Sequence, residues 1–298
     1  MAAGFPRVCV VVPCHNEEER IGGCLRALEN QTYPNYEILV VDDASTDNSP
    51  KIVKDNGIKL IRLETNSGVA RARNVGVKHS DAEIIAFTDG DCVVEKRWLE
   101  KLIDAMKSKN LDVVLGKKIR ALNNQSYVVR AQNGGRSIIE IGSEDLGGGY
   151  SVAYKSEVIK ELGGFNQRFM RGCEFDFNLR VMENRFSLGW AEDAVVSFSY
   201  ADTIGRLWKQ RTADGFWLKE IMRAHPWFAR KQIKHLLTRI IIIFAPPLYL
   251  FRMFILWRKY ENLKMLLAHW GFKYLKSLAY YLGFISPFPS RYLKTRRT

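Results

Sequence analysis

Apolar residues near the amino terminus come in short unbroken runs rather than in strict alternation with polar ones. "RVCVVV" (7–12), "EILVVD" (37–42), "IKLIRL" (58–63) and "EIIAFT" (83–88) are each too short for a helix and rich in branched side chains. They predict strands buried on both faces. Between them the period changes. Ile21, Leu25 and Leu28 follow helical spacing within 18–30, the cap-like "STDNSP" opens a helix over 47–55, and "TNSG" precedes another over 68–79. Strand and helix in alternation predict an α/β fold with a parallel sheet covered by helices on both faces. Such sheets bind their ligands beyond the carboxyl ends of the strands.

The polar residues fall where that rule wants them. "PCHNEEE" follows the first run, "DDASTD" the second, "ETNSGVARARN" the third and "DGDC" the fourth. Asp89 and Asp91 flank one glycine, a composition that suits a tight turn and equally a hard divalent cation. Asp42 and Asp43 suit helix caps or site chemistry, and His15 suits a pocket or an ordinary loop. Arg71 and Arg73 open a helix, where the dipole disfavours cations and welcomes an anion, so an anion nearby is expected. Carboxylates and arginines at one sheet edge make joint sense if a divalent metal lies between the acids and a diphosphate.

Composition narrows the function classes. The chain has 298 residues, 47% of them hydrophobic, and a net charge of +13. The charge is unevenly placed, at roughly +15 from residue 201 onward and roughly −2 before it. In the tail it is interleaved with apolar runs such as "RIIIIFAPPLYLFRMFILWRK", which favours an anionic membrane surface over nucleic acid. Residues 240–257 are marginal for a span, interrupted by Pro246, Pro247 and Arg252. Residues 263–285 place Leu263, Leu266, Leu267, Trp270, Tyr274, Leu278, Tyr281, Leu282 and Ile285 on one helical face, with His269, Lys273 and Lys276 opposite. Five scattered cysteines predict reduced thiols, and no signal peptide is expected at the start.

"VVVPCHNEEERIGGCLRALENQTYPNYEILVVDDASTDNS" followed by "NSGVARARNVGVKHSDAEIIAFTDGDC" resembles the nucleotide-binding half of family 2 glycosyltransferases, over Val8 to about Leu188. The resemblance implies a GT-A fold: a mostly parallel central sheet flanked by helices, Rossmann-like in its nucleotide-binding half, with a C-terminal helical extension here. It implies an inverting, metal-dependent transferase using a nucleotide-diphospho-sugar with Mg²⁺ or Mn²⁺. Pro13, His15 and Glu17 then line the nucleoside pocket, Asp43 bonds the base, and Gly68, Arg71 and Arg73 serve the donor. Asp89 and Asp91 form the DxD-type motif, with Asp91 on the metal and Asp89 facing the ribose or the metal.

"LGGGYSVAYKSEVIKELGGFNQRFMRGCEFDFNLRV" (146–181) is similar to the family's acceptor segment, whose acidic pair supplies the catalytic base. Here Cys173 and Glu174 stand at that pair, which makes Glu174 the base and Asp176 its substitute. The Gln/Arg-x-x-Arg-Trp pattern of processive synthases is absent, which implies single addition. The expected organisation is a catalytic domain over 1–220 and a basic helical extension over 221–298. The expected partners are a nucleotide-sugar, a glycan or lipid-linked acceptor and an anionic membrane surface, without nucleic acid. The expected location is cytoplasmic, at the cytoplasmic membrane face. Two competing classes are a catalytically impaired nucleotide-sugar-binding protein, suggested by Cys173, and a nucleotidyltransferase. The latter's Gly-rich basic loop is replaced by an acidic one at Pro13 to Glu19.

Overall fold

The computed structural model describes residues 4–121, 138–141, 146, 149–198, 203–230 and 263–286. The chain divides into two compact units, one of Met1–Arg120 with Glu140–Phe198 and one of Ala121–Ile139 with Ser199–Thr298.

In the first unit the apolar runs become β1 (Val8–Cys14), β2 (Tyr36–Asp42), β3 (Lys59–Arg62) and β4 (Ile84–Phe87). Every residue of β1 and β4 is buried, as expected of strands covered on both faces. Between them lie α1 (Ile21–Glu29), α2 (Ser49–Asp55) and α3 (Val69–Lys78). The chain continues through β5 (Cys92–Val94), α4 (Trp98–Ser108), β6 (Val113–Ala121), β7 (Ile138–Ile141), β8 (Val152–Lys155), α5 (Ser156–Glu161), α6 (Cys173–Glu183) and β9 (Leu188–Phe198).

The sheet runs β3-β2-β1-β4-β8-β6-β9-β5, with β7 paired to β6. β1 pairs in parallel with β2 (Val10 opposite Ile38) and with β4 (Val10 opposite Ala86). Beyond β4 the sheet is mixed, since β8 is antiparallel to both β4 and β6 while β6 and β9 are parallel. Strand order therefore reverses between β1 and β4. That places a crevice between their carboxyl ends, the usual ligand position of a doubly wound sheet.

Helix α3 lies hard against this point. A Cβ built on Gly76 would sit 2.3 Å from Cγ1 of Val11, itself fully buried, so only glycine lets the helix approach β1 this closely. All five cysteines are free and buried.

The second unit contains α7 (Ile204–Ala224) and α8 (Leu263–Ile285). Their backbones meet at two glycines. A Cβ on Gly215 would lie 1.8 Å from the Tyr280 carbonyl oxygen, and one on Gly283 would lie 1.8 Å from that of Thr212. The buried side of α8 carries Phe272, Ser277 and Ala279, whereas Leu267, Leu282 and Ile285 of the expected apolar stripe are exposed. Among the described residues no helix is long and apolar enough to cross a membrane. The run at 240–257 and the terminal "RYLKTRR" lie outside the described residues.

Candidate active site

The loops after β1 and β2 are bonded to each other before they can serve a ligand. Asn16 N–H donates to Ser45 Oγ (2.9 Å), Glu17 N–H to Ser49 Oγ (2.7 Å) and Glu18 N–H to Asp47 Oδ2 (3.0 Å). Thr46 N–H donates back to Asn16 Oδ1 (2.9 Å). The segment read as a helix cap thus also positions its neighbour, and the backbone bends to allow it. Asn16 (φ 56°) and Ala44 (φ 58°) both take left-handed conformations, which cost about 1–2 kcal/mol at an alanine. Strain of this kind is stored where the surroundings over-determine the chain.

Asp43 is buried, and its two carboxylate oxygens accept from the N–H groups of Ser67 (2.8 Å) and Gly68 (2.7 Å). It therefore fixes the turn into α3, where Gly68 adopts φ 90°. The same turn steadies His15. The Asp43 carbonyl lies 2.8 Å from His15 Nδ1, while the Asn66 side-chain amide nitrogen lies 2.9 Å from Nε2. An amide N–H can only donate, so Nε2 is the acceptor and Nδ1 carries the proton.

On the facing side, Asp89 and Asp91 project from the turn between β4 and β5. The cleft between is lined by Pro13, His15, Glu17, Asp43, Asp89 and Asp91 together with Gly90 and the α3 residues Val69 and Ala72. Six residues singled out in the sequence thus share one opening. Arg20, at the start of α1, reaches Glu17 Oε2 (2.6 Å) and more distantly Asp91 Oδ2 (3.8 Å). Burial, followed by the charge of Asp91, pushes the Glu17 carboxyl up to about 7 despite that arginine.

Arg73 occupies a different place from the one its sequence position suggested. Its side chain is 2% exposed and donates through Nη2 to Asp89 Oδ1 (3.0 Å) and through Nη1 to Glu174 Oε2 (3.0 Å). The anion that a cation at this helix start called for is, for Arg73, a pair of this chain's own carboxylates. Arg71, two residues away, is exposed. Burial pushes Asp89 up to about 6, the arginine restraining it and Asp91 and Glu174 adding to it. Burial also works to raise Glu174, but Arg73, the backbone amide at its own helix start and the Cys173 thiol outweigh it and hold the carboxyl at about 2.

Glu174 and Asp176 both belong to the first turn of α6 but do different work. Asp176 is buried and accepts from Arg180 Nε (3.0 Å), whose Nη1 and Nη2 donate to the carbonyls of Leu162 and Gly164 (2.7 Å each). It therefore anchors the turn after α5; neither acid lines the cleft itself, and Glu174 meets it through Arg73 and Asp89.

Sequence reasoning missed Asn74, which exchanges two 2.8 Å hydrogen bonds with the backbone of Phe165 and so docks the "GGF" loop on α3. Its adjacency to Arg73 was the available signal. Asn66, Ser45 and Ser49 were also missed, because their task is to bond another loop and no periodicity marks it.

With the geometry in place, comparison with known proteins is informative. The family model "Glycosyl transferase family 2" matches residues 9–159. Glycosyltransferase AglE of Haloferax volcanii is 27% identical over 221 residues, covering 71% of this chain and 72% of that protein. The Escherichia coli UDP-Glc:alpha-D-GlcNAc-diphosphoundecaprenol beta-1,3-glucosyltransferase WfgD is 36% identical over 124 residues, 41% of this chain and 49% of that protein. The chain thus spans about half of WfgD's length. Among solved structures, the mannosyltransferase PcManGT from Pyrobaculum calidifontis, in complex with GDP-Man and Mn²⁺, superposes with a TM-score of 0.62 at 18% identity over 94% of this chain and 88% of that one. S. aureus TarS 1–349 in complex with UDP gives 0.55 at 23% identity over 76% and 73%.

Proposed function

Because this chain belongs to glycosyl transferase family 2 and carries the GT-A fold, we propose that it transfers one sugar from a nucleotide-diphospho-sugar to an acceptor hydroxyl, with inversion, in glycan synthesis. The observation that carries this reading is the acidic cleft at the β1/β4 switch point, where Glu17, Asp43, Asp89 and Asp91 converge beside His15.

Among the described residues no group of three or more His, Cys, Asp or Glu side chains is arranged to hold a metal by itself. The two carboxylates Asp89 and Asp91, which line the cleft, suit Mg²⁺ or Mn²⁺, ions that take one or two carboxylates and draw their other oxygens from water and substrate phosphates. Asp91 and Asp89 would hold the ion. When bound, it would neutralise charge on the departing diphosphate.

The chain's own residues divide the remaining work. His15, with its Nδ1 proton tied to the Asp43 carbonyl, offers one fixed tautomer to the nucleoside side of the cleft. Glu174 takes the proton of the acceptor hydroxyl while that oxygen forms its bond to the anomeric carbon and the bond to the diphosphate oxygen breaks with its electron pair. Arg73, donating to Glu174 at 3.0 Å, favours its carboxylate form, the form that can accept a proton.

The acceptor class follows from two supports. WfgD's name specifies a diphosphoundecaprenol-linked acceptor. The exposed Leu267, Leu282 and Ile285 of α8, with the basic tail, suit attachment to an anionic membrane surface. A lipid-linked glycan at the cytoplasmic membrane face is the acceptor this combination favours.

The test incubates the protein with a panel of nucleotide-sugars and membrane lipid extract, with product masses and anomeric configuration as readouts. One added sugar unit of inverted configuration is expected. Asp91→Asn should weaken Mn²⁺-dependent nucleotide binding in calorimetry, while Glu174→Gln should lower turnover about 10²-fold or more and spare that binding. Absence of any transfer, with nucleotide binding intact, would leave a binding protein and overturn the proposal.

A further inference from the structure

We infer that Arg73 is a positioning residue that registers the donor-binding turn against the base, holding Asp89 and Glu174 in one geometry through a single guanidinium. The inference rests on the reading of Glu174 as the base and goes beyond it. Asp89 follows β4 and Glu174 opens α6, so the two acids are distant in the chain and nothing covalent fixes their spacing. Arg73 reaches both at 3.0 Å with different nitrogens, Nη2 to Asp89 and Nη1 to Glu174.

The surroundings allow the guanidinium little freedom. It lies 5.8 Å from the Phe87 ring centroid and 5.7 Å from that of Phe165, and Nη1 also meets Cys173 Sγ at 3.4 Å. Gly149 covers it closely, since a Cβ on that glycine would stand 2.8 Å from Cζ and Nη2 and 2.9 Å from Nη1. Next to it, Asn74 of the same helix fixes the Phe165 loop by two hydrogen bonds. Only a planar fork can satisfy two carboxylates in this slot. A lysine ammonium keeps the charge but is a point donor on a flexible stem, and it loses the simultaneous grip.

Cys173, which stands where the family pattern has an acid, sits beside the same guanidinium. A second carboxylate there would compete for the same guanidinium, whereas the thiol shares it and lies 3.3 Å from Glu174 Oε2.

The experiment is a double-mutant cycle on the full chain, with kcat, donor KM and the calorimetric affinity for nucleotide plus Mn²⁺ as readouts. Arg73→Lys should lower kcat at least tenfold, and it should weaken nucleotide affinity several-fold through the loosened Asp89. In the Glu174→Gln background the same change should lower kcat less than twofold, because the base it positions is already gone. In the Asp89→Asn background it should have little further effect on nucleotide affinity. A purely structural role predicts the same factor in every background, and that multiplicative result would overturn the inference, as would wild-type kcat in Arg73→Lys.

If Arg73→Lys does not fold, Gly149→Ala displaces the guanidinium without deleting it and should show the same non-additive loss of kcat with Glu174→Gln. Additivity there would also refute the coupling. Full turnover by Glu174→Gln alone would instead refute the base assignment, while the Arg73–Asp89 arm would still be decided by nucleotide affinity.

Discussion

Asp43→Asn separates a structural task from a ligand contact at one residue. Both Asp43 oxygens accept backbone N–H groups, from Ser67 at 2.8 Å and Gly68 at 2.7 Å, and the residue is 4% exposed. A hydrogen bond to a charged group contributes about 1.5–3 kcal/mol. Asparagine retains one acceptor oxygen, weakened by the loss of charge, and turns its NH₂ toward the other N–H, leaving donor against donor. The expected cost is about 3 kcal/mol, the sum of one lost charged bond and one unsatisfied buried donor. For a domain of this size that is a melting temperature lower by about 6–12 °C. Because the same turn holds Asn66 against His15, nucleotide affinity should fall as well. The assay is scanning calorimetry of the ligand-free protein, then the same with nucleotide and Mn²⁺. If Asp43→Asn melts within about 1 °C of the parent without ligand, as an ordinary surface change would, the turn does not depend on the carboxylate and the reasoning fails.

Three further outcomes are expected. Gly76→Ala should destabilise by about 1–3 kcal/mol through overpacking against Val11, and Val11→Ala in the same chain should restore part of the loss in chemical denaturation; an additive double variant would contradict the packing argument. Glu17, raised from 4.5 to about 7, adds stability that is complete below its unfolded value and is lost as pH rises through about 7. Glu17→Gln should therefore raise the metal-free melting temperature relative to the parent at pH 8 and give little gain at pH 5, and a difference independent of pH would refute the assignment. The full chain should float with anionic vesicles at low salt and release at high salt, while a version ending near Glu220 should not; equal behaviour of the two would end the membrane-surface proposal.

The parallel half of the sheet was legible because burial on both faces leaves strands no polar alternation to hide behind. The run "RVCVVV" and the strand Val8–Cys14 differ by one or two residues at each end. The cleft was legible for a related reason: in such a sheet polar loops at the carboxyl ends have one destination, and the candidates Pro13, His15, Glu17, Asp43, Asp89 and Asp91 reach it. The antiparallel and mixed part was less legible, because β9 has exposed residues at Glu192 and Asp193 and gives no clean period.

Arg71 and Arg73 show the limit of reading loops by charge alone. Two residues along a helix is a rotation of about 200°, so both cannot serve one ligand from one face. Which of them turned inward depended on partners about a hundred positions later, at Cys173 and Glu174. The exposed apolar stripe on α8 has the same character. Helical spacing defined the Leu267, Leu282 and Ile285 face, but the small residues opposite decided which face would pack on α7.

The charges of the cleft give the proposed metal a basis independent of the DxD pattern. Five carboxylates stand in or beside it: Glu17, Asp43, Asp89, Asp91 and Glu174. Backbone amides answer Asp43, and Arg73 answers Asp89 and Glu174 together. That leaves Glu17 and Asp91 sharing Arg20, whose side chain is 46% exposed and whose contact with Asp91 is 3.8 Å. An exposed pair at that distance contributes at most about 1 kcal/mol. One guanidinium for Asp89 and Glu174 and one loosely held arginine for Glu17 and Asp91 leave negative charge in excess along the Asp89 and Asp91 side of the cleft, and a nucleotide diphosphate approaching it would meet repulsion. A divalent cation on Asp91 would reverse that sign for the diphosphate and would offset the Asp91 charge that adds to burial in raising Glu17. Glu17, raised first by burial and then by Asp91, and the proposed ion thus both respond to the carboxylate that the loop after β4 brings against the loop after β1.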